Sequence, residues 1–105
     1  MLQYFSDTSV DHVFFVDTQN GSTANNINNV RISDIKFYSP YLFSEGKHFI
    51  SLNGVSNFVI ERCLFLQSRG DAIYIGAGGT PNIHITHNEN ITIRDCRFDG
   101  VAKTN

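Results

Sequence analysis

Apolar and polar residues alternate with period two through most of this chain, in short runs. "HVFFVD" (12–17), "HFISLN" (48–53) and "DAIYIG" (71–76) each read as a short strand bounded by turn residues. Between them stand three copies of a longer pattern: "NVRISDIKF" (29–37), "NFVIERCLF" (57–65) and "NITIRDCRF" (90–98). Each copy fits Asn, apolar, any, Ile, any, any, Cys or Ile, any, Phe. The closing phenylalanines Phe37, Phe65 and Phe98 are 28 (65 − 37) and 33 (98 − 65) residues apart. Periods of roughly 20 to 50 residues belong to stacked architectures. No segment carries a sustained helical stripe with caps, so the chain is expected to be nearly free of helix.

Alternation predicts which side chains must be hidden. In the short strands, Phe14 and Val16 share a face with Ile50 and Leu52 and then Ile73 and Ile75. In the longer strands, Val30 and Ile32 match Phe58 and Ile60 and then Ile91 and Ile93. One turn of chain cannot hide such a row, but parallel strands stacked at about 4.8 Å place like upon like and make one continuous core. The path expected is short strand, turn, motif strand, a sharp bend near Asp34, Arg62 and Asp95, a brief strand ending in Phe, and a return loop. The fold class is therefore all-β: a single solenoid domain over 1–105 of about three coils, near 12–47, 48–70 and 71–101.

"NITIRDCRF", with a strand of the type "GDAIYIG", resembles the right-handed parallel β-helix of the pectin-lyase-like superfamily, including phage tailspikes and polysaccharide-degrading enzymes. The resemblance covers about 12–101. It implies a stacked ladder at the bend, a place filled here by Ile35, Cys63 and Cys96. It also implies that substrate lies along the outward face of the short strands. The chain lacks the "NTD", paired "DD" and "GHG" signatures of polygalacturonase-like members and the carboxylate cluster of pectate-lyase-like members. Three coils is near the minimum for a solenoid, so the chain is expected to be a segment of a longer protein or an oligomer, such as a trimer, whose partners cover its ends.

Composition narrows the partners. Among 105 residues only 17% are charged and the formal net charge is −2, which disfavours a nucleic-acid partner. No apolar run is long enough to span a bilayer, and the start lacks the layout of a signal peptide. An extracellular or virion-associated protein is expected. Two cysteines make no disulfide framework; buried thiols are the favoured reading and a disulfide the alternative.

Candidate chemistry falls on the outward positions of the short strands: Val13, Phe15 and Asp17; Phe49, Ser51 and Asn53; Ala72, Tyr74 and Gly76. Exposed rings suit the C–H face of a sugar, so Phe15, Ser51, Asn53, Arg69 and Tyr74 are expected to bind polysaccharide. The competing reading folds the loops at 18–28 and 38–47 over these rings. Arg69, beside Asp71, suits an acidic sugar's carboxylate. If the chain cleaves a glycan, as a glycoside hydrolase or polysaccharide lyase, Asp71 and Asp17 are its candidate acids; a plain turn is the alternative role for Gly70–Asp71. A non-catalytic structural or adhesin-type segment is the other functional class.

No cofactor or metal is expected. "HITHNE" (84–89) gathers His84, His87 and Glu89 without the helical zinc spacing, and "GAGG" (76–79) lacks the lysine and helix of a phosphate loop. "NGS" (20–22) and "NIT" (90–92) match the glycosylation acceptor pattern.

Overall fold

The fold was obtained as a computed structural model, which describes residues 2–5, 13–17, 26–39, 44, 46–76 and 87–101; none of these is helical. The short strands become β2 (Phe14–Asp17), β5 (Ile50–Asn53) and β8 (Ile73–Ile75). Each motif becomes two strands around a bend. These are β3 (Ile27–Ser33) with β4 (Ile35–Tyr38), β6 (Val55–Glu61) with β7 (Leu64–Ser68), and β9 (Glu89–Arg94) with β10 (Arg97–Val101). A further strand, β1 (Leu2–Phe5), precedes them.

Among the described residues all pairing is parallel and falls into three sheets, ordered β2-β5-β8, β3-β6-β9 and β1-β4-β7-β10. From β2 onward the chain visits the three sheets in the same order three times, an arrangement compatible with a parallel β-helix. The register sets Phe14, Ile50 and Ile73 in one row, Val30, Phe58 and Ile91 in another, and Phe37, Phe65 and Phe98 in a third. These are the rows that alternation predicts.

The asparagine that opens each motif has a backbone role. Asn29, Asn57 and Asn90 all take left-handed φ values, 59°, 53° and 54°. Asp34, Arg62 and Asp95, at the bend, do the same with 60°, 52° and 54°. Left-handed backbone is unfavourable for most side chains, and Asn and Asp tolerate it best. The asparagine lies inside each motif strand, near its start, and the bend residue directly follows the strand's last residue, where the chain turns. The amides also bond along the stack: Asn57 Nδ2 donates to Asn28 Oδ1 at 2.9 Å, and Asn90 Nδ2 donates to Asn57 Oδ1 at 3.2 Å. A second set of amides holds the corner before the motif. Asn88 Oδ1 accepts from Gly54 and Val55 N–H at 2.8 and 3.0 Å, while its Nδ2 donates to Gly76 O at 2.8 Å.

The core sits between the three sheets and is tightest in the middle circuit, where Ile50, Leu52, Val55 and Ile60 are wholly buried. The phenylalanines at the motif ends stack face to face, Phe37 on Phe65 at 4.8 Å and Phe65 on Phe98 at 5.0 Å. Phe49 is a correction to the expected pattern. Strict alternation places it on the outward face, yet it is buried and lies 5.5 Å from Phe37, ring to ring. It occupies a bend rather than the strand: Val13 and Phe14 N–H both donate to its carbonyl, at 2.9 and 3.1 Å, so Phe49 and Ile50 point inward in succession. Its register neighbours Val13 and Ala72 likewise pack against the core. Cys63 and Cys96 occupy equivalent places as free thiols, with Cys63 Sγ 3.4 Å from Glu61 O and Cys96 Sγ 3.4 Å from Arg94 O. Burial pushes the Cys63 thiol above its ordinary pKa.

Phe65 is 1% exposed between two rings, whereas Phe98 is 55% exposed. Phe65→Ala is expected to cost about 3–5 kcal/mol in urea unfolding, and Phe98→Ala clearly less. Equal losses would contradict a core centred on the middle circuit.

Candidate functional site

The register brings Phe15, Ser51 and Tyr74 into one row on the outer face of β2, β5 and β8, with Asp17 beside Asn53 in the next outward row. Exposure along the first row is uneven: Phe15 is 58% and Tyr74 42% exposed, while Ser51 between them is 3% exposed. The face thus presents two aromatic residues whose strands stand two spacings apart, about 9.6 Å along the sheet. Asn53 is buried, and in the amide orientation that suits its surroundings it donates to Gly76 O at 2.9 Å. It braces the residue that follows β8.

Tyr74 lies in a stack. The His48 imidazole is 4.9 Å from its ring and 4° from parallel. His48 Nδ1 accepts from the Asp71 backbone N–H at 2.9 Å. The Asp71 carboxylate is farther off, with Oδ2 3.8 Å from Nδ1. Two glycines clear the space: a Cβ on Gly70 would sit 3.0 Å from His48 Nδ1, and one on Gly76 would sit 2.4 Å from Tyr74 Cε1.

The candidate acids bracket the row from opposite ends. Asp17 aligns with Asn53 and so with Gly76, five residues (76 − 71) beyond Asp71. Five residues span about 16 Å along a strand, with two strand spacings to cross besides. Two carboxyls acting on one glycosidic bond stand roughly 5–9.5 Å apart. Asp71 is exposed, Asp17 half-buried, and Arg69 half-buried in the turn before Asp71. Of the other singled-out positions, His84, residues 77–79 of the glycine run and the "NGS" at 20–22 lie outside the described residues, as do most of the loop at 18–28 and half of that at 38–47. His87 meets Asn26 through its backbone carbonyl, at 2.7 Å.

Sequence reasoning passed over the main electrostatic centre. The Glu61 side chain is 2% exposed under three arginines that are themselves half exposed. Arg94 Nε donates to Oε2 at 2.7 Å, and Arg31 and Arg62 stand 3.0 and 3.3 Å from Oε1 at ion-pair distance. Arg62 also grips Asp34 through two bonds, at 2.9 and 3.0 Å. The hydrogen bond from Arg94 holds the Glu61 carboxyl below its ordinary pKa, with the charges of Arg31 and Arg62 adding to it against the effect of burial. Asp34 is lowered chiefly by its hydrogen bond from Arg62. The signal was present in sequence only across repeats: Ser33, Glu61 and Arg94 share one row, invisible within any single motif. Beside this network a groove of about 400 Å³ runs over the outer face of β3, β6 and β9, lined by Asn29, Asn57, Asn90, Arg31, Val59 and Thr92.

A carboxyl with a lowered folded pKa stabilises the fold fully above its unfolded pKa, about 4.3 for Glu and 3.9 for Asp, and that contribution is lost as pH falls through the folded value. The urea midpoint is therefore expected to drop below about pH 4.5. Glu61→Gln is expected to lower the midpoint at pH 7 and to flatten part of the acid dependence, Asp34 supplying the remainder; parallel pH profiles for the two proteins would refute this. No protein-family model, curated protein or solved structure matches the chain.

Proposed function

We propose that the chain is a right-handed parallel β-helix of the pectin-lyase-like kind, and that it binds a bacterial or plant polysaccharide along the outer face of β2, β5 and β8. The observation that carries this reading is the row Phe15–Ser51–Tyr74, in which two exposed rings flank a buried small residue. Each ring offers a flat apolar surface to the C–H face of a pyranose, while polar groups at the margins take hydroxyls. The spacing of about 9.6 Å suits an extended polymer touching two rings better than a compact ligand held by one. Arg69 and Asp71 at one end and Asp17 at the other supply the polar contacts. The wide separation of the two acids supports recognition without cleavage. A virion or extracellular surface is where such a face meets its glycan.

Affinity electrophoresis through gels containing a panel of polysaccharides, with polygalacturonate as the acidic member and dextran as the neutral one, tests the reading. The wild-type chain is expected to be retarded by at least one polymer. Tyr74→Ala and Phe15→Ala are each expected to weaken that binding about tenfold, equivalent to ~1.4 kcal/mol, with no shortening of the polymer. Retardation by none of the panel, or unchanged affinity in both variants, would overturn it. Shortened product that disappears in Asp71→Asn would instead make the face an enzyme's.

A further inference from the structure

We infer that His48 is a positioning residue for the Tyr74 ring, fixing one orientation so that a single face is presented to a sugar. The inference takes its purpose from the polysaccharide reading above; its mechanism stands on separate geometry.

An exposed tyrosine ring ordinarily samples several rotamers, and binding must then cover the cost of choosing one. Here the choice is made in advance. The His48 and Tyr74 rings lie 4.9 Å apart and 4° from parallel, so one face of Tyr74 is already occupied. The imidazole is itself held, with a side chain only 11% exposed and Nδ1 accepting the Asp71 N–H at 2.9 Å. With Nδ1 accepting, the ring proton sits on Nε2. Gly70 and Gly76 bound the stack at its two ends, and a methyl at either would push into a ring. Asp71 then contributes its main-chain N–H to the site, one step removed from the sugar, while its carboxylate is left exposed.

Pre-organising one rotamer-rich side chain is worth roughly threefold to tenfold in affinity. His48→Ala is expected to weaken polysaccharide binding by about that factor. His48→Phe retains a stacking ring and is expected to recover part of the loss. The direct readout is the aromatic proton spectrum, with the Tyr74 signals identified by their absence in Tyr74→Ala. His48→Ala should move those signals downfield as the shielding of the stacked imidazole disappears, and His48→Phe should keep them upfield. A role in stability alone would lower the urea midpoint and leave both the Tyr74 signals and the affinity in place, which overturns the inference. If Tyr74→Ala weakens binding and His48→Ala does not, the polysaccharide reading stands and the positioning role falls. If the wild-type chain binds none of the polymers, both fall together.

Discussion

A parallel strand can hide its apolar row only against an equivalent row on the next strand, because its own circuit of chain is too short to fold back over it. Everything distinctive here follows from that constraint. It demands like residues at matching positions, which is why the motif recurs. It explains why burial is graded by circuit: Ile50, Leu52 and Ile60 in the middle are wholly enclosed, while Phe14, Ile75, Ile93 and Phe98 in the outer circuits retain substantial exposure. The phenylalanine stack shows the same principle, since each added ring covers the face of the one before.

Stacking alone would give a flat ladder, and the chain must also turn. Left-handed residues at the first and sixth positions of the motif do this, and their side chains are put to further use. The asparagines join in a line of amides, and the bend residues join in ion pairs. Arg62 is an unusual occupant of left-handed backbone, and its bonds to Asp34 and its contact with Glu61 offset the cost. The outer surface of the second sheet thereby becomes a charged lattice, while the first sheet keeps an aromatic outer row. The two faces differ because the short strands carry almost no charge at their outward positions.

Much of this was legible in the sequence. The rows of Phe14, Ile50 and Ile73 and of Val30, Phe58 and Ile91 follow from alternation, and the bends at Asp34, Arg62 and Asp95 follow from the repeat. What escaped was of two kinds. Phe49 escaped because alternation holds within a strand and fails at the bend that precedes it. Glu61 and the His48–Tyr74 stack escaped because each joins residues about 26 to 33 positions apart, a partnership visible only between repeats and never within one. The amide line had a visible signal in Asn57 and Asn90, but its partner at the first circuit is Asn28, one place before the motif begins.

Repeats that share the same apolar rows carry a hazard of their own, since each motif could dock on the wrong sibling while the chain is still folding. The bend row reads Asp34, Arg62, Asp95 through successive circuits, so its sign alternates. Were the first motif to skip the second and lie on the third, Asp34 would meet Asp95 with no cation between them, and Glu61 would lose its place between Ser33 and Arg94. Opposite charges on neighbouring strands favour a pairing and like charges oppose it. The arginine in the middle motif thus works as an address label, telling otherwise interchangeable segments which of their siblings to accept.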